Sequence, residues 1–364
     1  MGSLRPLFGT KTQPLVGVDI GASAVKVLQL AERRQAYAVT ACAVEPLPAG
    51  AVAEDGRIPD PEPVAAAVRR AMARSGCKAR EAAVAVPAAL VINKHIGLAA
   101  GLREQDMEDQ IRAEADQYIS FPLDEVHLDF TPTGVVDEEA SGQDVLLVAC
   151  RNEDVESRAA AVELAGLRAG IVDVETYALE GACRLVCSSL PDKGEGHTVV
   201  VVDVGAQTLS MLVLDDGRHV YEHEQSFGGA VLTDEIAKHF GMPAEEAEKG
   251  KCGNTLPPDY GTELLPRFFE ELGQQVQRAL QYFYSDPGAT GGAAVEHMLL
   301  AGGCARLPGV AEMLGEQLNL PVTIAAPLAR AAVSGRVRAK QVREQGPALM
   351  VAAGLALRSF DPPR

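Results

Sequence analysis

The sequence contains no tryptophan, and aromatic residues make up only 4% of its 364 positions. Basic residues are also scarce: 33 Lys and Arg stand against 50 Asp and Glu, which gives a formal net charge of −17. Nucleic-acid binding needs a concentrated positive surface, and the densest basic run, residues 336–343, is short. These shortages argue against a nucleic acid as partner.

Patterns that would indicate a disulfide framework, a zinc site or a membrane segment are missing too. The seven cysteines are odd in number, and neither Cys-x-x-Cys nor His-Glu-x-x-His occurs, so we expect reduced, mostly buried thiols. No stretch approaches the roughly 18 uncharged apolar residues of a membrane-spanning helix. The first residues lack the apolar core of a secretory signal. The sequence thus predicts a soluble cytoplasmic protein with no membrane span of its own.

What the chain does contain is 47% hydrophobic residues and 35 glycines. This apolar fraction is ample for packed cores and excludes wholesale disorder. At about 100–200 residues per domain, the length predicts two or three folded units. The many small residues suit layers of helices packed on parallel strands.

The most informative feature is a pattern that occurs twice. Residues 14–30 read PLVGVDIGASAVKVLQL, and residues 198–214 read TVVVVDVGAQTLSMLVL. Each copy has an apolar strand, then Asp-x-Gly, a short turn and a second strand, with Asp19 and Asp203 at equivalent positions. The copies lie too far apart for a solenoid repeat. They predict two similar lobes, each opening with the same hairpin.

These two hairpins have the residue types that a magnesium–polyphosphate site needs. A carboxylate at the end of a buried strand can hold hydrated Mg²⁺, and Gly21 and Gly205 allow turn amides to approach an anion. Lys26 is the one cation in the second strand of the first hairpin, where desolvation of its charge requires an anionic partner. An outward-facing lysine on a half-exposed strand is the alternative. Two hairpins facing each other would hold a polyphosphate between them.

Two further features are weaker candidates for ligand contacts. Gly302 and Gly303 follow an apolar strand, so the backbone can approach a flat ligand such as adenosine, although a plain strand-to-helix turn explains them as well. Glu248 and Lys251 are three positions apart and share a helix face. A solvated, ion-paired surface is the alternative explanation for this pair.

The stretches DIGASAVK, DVGAQTLS and AGGCARLPG resemble the phosphate 1, phosphate 2 and adenosine motifs of the actin/Hsp70/sugar-kinase ATPase superfamily. Within that superfamily, IRAEADQYISFPLDEVHLDF, VLLVACRNEDVESRAAAVELAGL and VETYALEGACRL resemble the PilM family of actin-like type IV pilus assembly proteins. The resemblance extends from about residue 14 to residue 358. It implies an α/β, actin-like ATPase fold of two lobes with mixed sheets. A small FtsA-type α+β subdomain is inserted in the first lobe.

The resemblance also implies a division of the chain. The predicted units are the first-lobe core at 14–90, an inserted peptide-binding subdomain at 91–170, the return to the first lobe and the crossing at 171–195, the second-lobe core at 196–232, an accessory subdomain at 233–294, and the rest of the second-lobe core with a closing helix at 295–358.

Individual roles follow from the same resemblance. Glu175 would position the attacking water, Asp203 would act beside it, and Asp19 and Asp203 would face the magnesium ion. Thr176 stands where related ATPases have proline, and Ala206 where many have a polar or acidic residue, so we expect at most slow ATP hydrolysis. The residues implied in nucleotide binding are Asp19, Gly21, Ser23, Lys26, Gly205, Gln207, Thr208, Gly228, Gly229, Glu248, Lys251, Gly302, Gly303 and Leu307.

For cofactors and partners, the resemblance implies ATP, Mg²⁺ and the N-terminal cytoplasmic tail of a PilN-type bitopic inner-membrane protein. The tail would bind in a groove between the inserted subdomain and its lobe. The chain would then lie at the cytoplasmic face of the inner membrane among other pilus platform proteins, where it would contribute to pilus biogenesis and twitching motility. A homo-oligomer is left open.

Two other functions compete with this one. An FtsA-like cell-division protein would share the fold and the inserted subdomain, but the sequence stops at LALRSFDPPR and shows no amphipathic membrane-binding helix. A small-molecule kinase of the same superfamily needs a carboxylate base at the acceptor hydroxyl. No segment of this chain is an obvious source of that base and its substrate cleft.

Overall fold

The computed structural model describes residues 15–33, 36–137, 142–187, 190–253, 255–286 and 294–361. Residue 14, where the predicted first-lobe core begins, lies outside these ranges. The described strands are β1 Leu15–Ile20, β2 Ala24–Arg33, β3 Ala36–Pro46, β4 Glu81–Val86, β5 Val91–Ala99, β6 Val126–Asp137, β7 Gly142–Arg151, β8 Arg168–Val174, β9 Thr198–Val204, β10 Thr208–Asp215, β11 Arg218–Ser226, β12 His297–Ala301, β13 Val322–Ile324 and β14 Ala332–Val333.

The α-helices lie between and after these strands. They are α1 Pro61–Ser75, α2 Glu104–Glu114, α3 Asn152–Leu164, α4 Glu175–Val186, α5 Gly229–Phe240, α6 Ala244–Gly253, α7 Leu265–Ser285, α8 Val310–Leu318, α9 Ala339–Gln345 and α10 Met350–Leu357. Within the described ranges, no helix combines the length and the apolar character that crossing a bilayer takes.

The strands form three sheets. The six-stranded sheet has the order β14-β3-β2-β1-β4-β8, the five-stranded sheet β11-β10-β9-β12-β13, and the small sheet β5-β7-β6. Strand β1 pairs antiparallel with β2 and parallel with β4, and β9 pairs antiparallel with β10 and parallel with β12. Each copy of the repeated pattern therefore forms the central hairpin of its own mixed sheet.

The central strands have the composition that burial on both faces requires. All of β1, LVGVDI, is buried, and β9 reads TVVVVDV with only its aspartate partly exposed. Continuous runs of β-branched residues are typical of strands covered on both sides. In each strand the aspartate is the next-to-last residue, so its carboxylate lies at the end of the strand, where the turn begins.

Helices α4 and α10 pack between the two large sheets and join them. One buried cluster contains Leu28 of the first sheet, Leu179 of α4, Val201 of the second sheet and Ala352 of α10. A Cβ atom added at Gly354 of α10 would overlap the carbonyl oxygen of Ala178 in α4. The close contact of these two helices thus depends on a glycine at this point.

The small sheet carries its own core. Met107 and Ile111 of α2 pack against Ile96, Val145 and Leu147 of strands β5 and β7. This places α2 over one face of the sheet, as its apolar spacing predicts.

Helix α3, which we assign to the inserted subdomain, packs elsewhere. Its residues Ala161 and Val162 share a cluster with Val64 and Val68 of α1, on the six-stranded sheet. The boundary at residue 170 stays a prediction, and this packing favours an end of the inserted unit at the close of β7.

The seam between α4 and α10 can be tested with two glycines that lie opposite each other. We expect Gly354→Ala to lower the free energy of unfolding by about 1–3 kcal/mol, because backbone atoms cannot rotate away from the new methyl group. Gly181→Ala is the matched control, since its Cβ would meet only the Cα of Gly354, at 3.9 Å. Denaturant unfolding measures both variants, and equal losses of stability would contradict the account.

Candidate functional site

A cavity of about 470 Å³ opens between the two large sheets. Its walls come from both central hairpins, from α4 and α6, and from the turn after β12. Most of the predicted site residues line it, namely Asp19, Gly21, Ser23, Lys26, Glu175, Asp203, Gly205, Gln207, Thr208, Gly229, Glu248, Lys251, Gly303 and Leu307. Their individual roles in binding stay predictions, but one cavity brings them together.

The other two predicted residues, Gly228 and Gly302, are not among the lining residues. A Cβ atom at Gly302 would stand 2.6 Å from Oδ1 of Asp203, and one at Gly228 would stand 2.5 Å from the carbonyl oxygen of Ala206. Gly302 also has a positive φ of 88°, which favours glycine. These glycines act by letting neighbouring backbone close in on the cavity rather than by lining it.

Lys26 points into the cavity, not outward, and its partner is Asp19. The two residues are opposite each other in the β1–β2 pair, and Lys26 Nζ donates to Asp19 Oδ2 at 2.8 Å. Burial alone would lower the pKa of Lys26, but the paired Asp19 carboxylate outweighs it and the pKa is raised, with Asp203 and Glu175 adding to the effect. The lysine therefore stays charged at the place where an anionic ligand would enter.

The carboxylate of Asp203 faces the cavity without a partner. It makes no hydrogen bond or ion pair with any described residue. Burial raises its pKa to about 6, opposed by Lys26 and reinforced by Asp19. An unpaired carboxylate beside a second one is a strong acceptor for a cation or a hydrogen-bond donor.

Glu175, the first residue of α4, is also unpaired within the described part of the chain. Burial raises its pKa to about 8; the charge of Arg158 opposes this shift, while Asp19 and Glu224 increase it. In the ligand-free protein at pH 7 this carboxyl group is therefore largely protonated. The sequence alone does not show this, because the charges responsible come from distant segments.

The second lobe contributes an ion pair inside the cavity. Lys251 Nζ lies 2.6 Å from Glu248 Oε2 and donates to the carbonyl oxygen of Gly229 at 2.8 Å and to Thr233 Oγ1 at 2.6 Å. The Lys251 side chain is only 9% exposed. Burial would raise the pKa of Glu248, but Lys251 and the hydrogen bond from Thr233 lower it. The pair is thus part of the cavity wall, not a solvated helix face.

Arg158 is a functional candidate that the sequence analysis did not find. It is the largest fully buried side chain described, 1% exposed, and donates to the carbonyl oxygens of Ile20 at 2.9 Å and Gly56 at 2.6 Å. Burial lowers its pKa, while Glu175 and Asp19 act against the shift. The arginine fixes the turn that follows β1, and no motif marks it in the sequence.

Several other residues also line the cavity, namely Arg74, Thr176, Ser210, Glu224, Cys304, Arg306, Gln341 and Gln345. Thr176, Ser210, Cys304 and Arg306 lie inside the quoted motifs but were not assigned to the site, and the others come from elements that only the fold brings to the cavity.

The residues present fit a magnesium nucleotide better than a metal alone. Mg²⁺ keeps several waters and binds through one or two carboxylates together with substrate phosphates, which matches Asp19 and Asp203. No group of three or more His, Cys, Asp or Glu side chains among the described residues could hold a metal ion by itself. The hydroxyl Oγ1 of Thr176 is buried without a partner, and the cavity volume is in the range of small-molecule sites.

The two mixed sheets, the central hairpins that meet at one cleft and the small inserted sheet define an actin-like ATPase fold. The ethanolamine utilization protein EutJ from Carboxydothermus hydrogenoformans has a similar structure, with a TM-score of 0.55 and 19% identity over 97% of this chain and 91% of that one. The expected fold class is confirmed. EutJ of Escherichia coli (strain K12) is 29% identical over 120 residues, which is 32% of this chain and only 37% of that relative.

The chain belongs to the family described as type IV pilus assembly protein PilM, whose model matches residues 17–360. A structure of the PilM–PilN type IV pilus biogenesis complex is similar to it with a TM-score of 0.78. The identity is 28%, and the match covers 96% of this chain and 99% of that one. The family membership expected from the motifs is confirmed.

The raised pKa of Glu175 predicts how stability depends on pH. As pH rises from the unfolded pKa of 4.5 toward about 8, the unfolded state loses this proton while the folded state keeps it, so folding is progressively disfavoured. We expect ligand-free Glu175→Gln to melt a few degrees above the unchanged protein at pH 8, and the difference to shrink toward pH 5.

Glu263→Gln is the control, because it neutralises an exposed carboxylate outside the cavity. Differential scanning calorimetry across this pH range measures both variants. A melting difference for Glu175→Gln that does not change with pH would show that the carboxyl group is not buried as described.

Proposed function

We propose that this protein binds ATP with Mg²⁺ in the cavity between its two large sheets. The observation that carries the proposal is that two Asp-x-Gly hairpins, in separate sheets, present Asp19 and Asp203 to the same cavity. The turns next to these aspartates consist of small or polar residues, so their backbone can approach phosphate oxygens. Lys26 supplies a positive charge on the first-lobe side.

The adenosine would lie on the second-lobe side of the same cavity. Gly303 and Leu307 line that wall, together with the ion pair of Glu248 and Lys251 from α6, in which Lys251 is nearly buried and Glu248 is partly exposed. The second-lobe wall thus offers Gly303 and the apolar Leu307 to the nucleoside, while Lys26 of the first-lobe hairpin would face the polyphosphate.

We propose at most slow hydrolysis at this site. Glu175 occupies the place of the water-positioning carboxylate, but its pKa of about 8 leaves it largely protonated at pH 7 before a ligand binds. A protonated carboxyl group is a poor acceptor for a proton from water. A protein that hydrolyses its nucleotide slowly, or not at all, suits a role as an assembly scaffold.

The ATP site can be tested with Asp203→Asn, which removes the charge and keeps the shape of the side chain. We expect the affinity for Mg-ATP to fall about tenfold or more, because one charge-assisted contact is lost. Asp234→Asn, an exposed aspartate of α5, is the control. Isothermal titration calorimetry measures the affinities, and equal values for both variants would contradict the proposal.

We infer further that the N-terminal cytoplasmic tail of a PilN-type inner-membrane protein binds between the small sheet and the first lobe. A structure similar to this chain over 96% of its length is that of a PilM–PilN type IV pilus biogenesis complex. This binding would hold the protein at the cytoplasmic face of the inner membrane, beside the other proteins of the pilus platform.

A second, smaller cavity of about 110 Å³ lies where such a tail would bind. It opens at the junction of the small sheet with the first lobe. Its lining consists of Arg57, Ala89, Leu90, Val91, Ile92, Phe121, Val126, Ala149, Cys150, Arg151 and Asp154.

The chemistry of this smaller cavity suits an extended peptide. Phe121 is 39% exposed, and the guanidinium of Arg151 lies 5.5 Å from the centre of its ring. The buried carboxylate of Asp154 accepts from Arg57 Nε at 3.2 Å and from Arg151 Nε at 3.1 Å, which holds both arginines at the rim. A cavity lined by an aromatic ring and two arginines can take apolar and acidic side chains from a bound strand.

Phe121→Ala tests the peptide site. We expect binding of a PilN-type tail peptide, measured by fluorescence anisotropy, to weaken about tenfold, since a partly exposed aromatic ring at a contact is a typical anchor. Leu164→Ala is the control, because Leu164 is 50% exposed and lies outside this cavity. Nucleotide affinity stays unchanged in both variants. An equal effect of the two substitutions on peptide binding would place the tail elsewhere.

A further inference from the structure

Glu224 is a cavity carboxylate that neither the repeated motif nor the family resemblance indicates. It lies on β11, opposite Ser210 of β10, and its Oε2 accepts a hydrogen bond from Ser210 Oγ at 3.2 Å. Ser210 in turn is opposite Asp203 in the β9–β10 pair. The side chain of Glu224 lines the same cavity as Glu175, from the other lobe.

The two carboxyl groups share one cavity, and the charge of Glu224 acts on Glu175. The charge of Glu224 contributes to the raised pKa of Glu175, and burial raises the pKa of Glu224 itself. No described cation forms an ion pair with Glu224. Burying such a group away from water costs free energy, so its presence in a cavity indicates a function there.

Thr176, the residue after Glu175, also lines the cavity. Thr176 is 5% exposed, and its Oγ1 has no hydrogen-bond partner. Buried hydroxyl groups are nearly always hydrogen-bonded, so this one indicates a ligand or a water molecule that it contacts in the working protein. Two carboxyl groups from opposite lobes thus line the cavity, and a buried hydroxyl group without a partner lies in the residue next to Glu175.

The spacing of these groups is held by a residue of the small sheet. Asn93 of β5 donates from Nδ2 to Glu222 Oε1 at 2.8 Å, and its Oδ1 accepts from Tyr177 Oη at 3.1 Å. Tyr177 lies two residues after Glu175, and Glu222 lies two residues before Glu224. One asparagine therefore ties together the helix and the strand that carry the two carboxylates.

We propose that Glu224 is a second catalytic carboxylate: Glu175 and Thr176 from one lobe and Glu224 from the other hold the water that attacks the γ-phosphorus of ATP. Asn93 is a positioning residue that fixes the distance between the two walls. This inference rests on the proposed ATP site. It gives the second lobe a direct part in hydrolysis.

The step conserves atoms and charge. The water oxygen forms a bond to the γ-phosphorus, and the bond from that phosphorus to the β,γ-bridging oxygen breaks, with its electron pair leaving on ADP. One proton of the water passes to a carboxylate of the pair and afterwards to the released phosphate. A positioned acid–base group contributes about 10²–10⁴-fold to such a rate.

The test compares Glu224→Gln with Glu175→Gln and with the exposed control Glu263→Gln. Three quantities are measured for each: the affinities for ATP and ADP, the extra affinity for ADP with aluminium fluoride over ADP alone, and the single-turnover rate of bound ATP. We expect Glu224→Gln to bind ATP and ADP within about twofold of the unchanged protein. We expect both the extra affinity for ADP with aluminium fluoride and the single-turnover rate of bound ATP to fall about tenfold or more.

Asn93→Ala distinguishes the positioning role of Asn93 from the catalytic role of Glu224. It removes no group from the cavity, so we expect the ATP affinity to stay the same while the rate and the gain with aluminium fluoride fall together, by less than in Glu224→Gln. A melting curve of the variant without nucleotide checks that the fold is intact.

Three outcomes overturn the inference and leave the ATP site standing. In the first, Glu224→Gln keeps both the single-turnover rate and the extra affinity for ADP with aluminium fluoride; in the second, it loses ATP affinity to the same extent as rate. In the third, the unchanged protein binds ATP but shows neither turnover nor extra affinity with aluminium fluoride. Unchanged protein that binds no ATP at all overturns the proposed function itself.

Discussion

The cavity depends on the tight contact of helices α4 and α10, which holds two buried, aspartate-tipped hairpins face to face. Gly354 allows this contact, and the apolar cluster around Leu179 and Ala352 fills the seam between the sheets. Because α4 also begins with Glu175, the helix that joins the lobes carries one of the groups in the cavity. The same helix contact thus joins the two lobes and positions a residue of the site.

This arrangement gathers four carboxyl groups, each partly or fully buried, around one cavity. Asp19, Asp203, Glu175 and Glu224 share the cavity, while Lys26 is paired to only one of them. The raised pKa values of the other three carboxyl groups are the direct result of that burial. A bound magnesium nucleotide would supply the missing cation and hydrogen-bond partners, so binding and stability are linked through the same groups.

The hairpins were predictable because their signal is local: an apolar run, a carboxylate and a glycine turn lie within a few residues of each other. The need of Lys26 for an anionic partner was predictable from its apolar neighbours, but the identity of the partner was not. The sequence suggested an anionic ligand, and the register of β1 against β2 supplies Asp19 instead.

Contacts between distant segments were beyond prediction. Arg158 reaches the turn after β1 from a helix more than a hundred residues away, and Glu224 reaches the cavity only because β11 pairs with β10. Helix α3 follows the small sheet in sequence yet packs on α1, since its apolar residues match that surface. These long-range contacts depend on the packing of the whole core, so no short sequence motif indicates them.

The most direct test of the account is a crystal structure of the protein with Mg²⁺ and a non-hydrolysable ATP analogue. The account predicts the phosphates between the turns at residues 21–23 and 205–207, with the metal ion beside Asp19 and Asp203. Density for the analogue at any other place, or an open cleft with nothing between the two turns at saturating analogue, would contradict it.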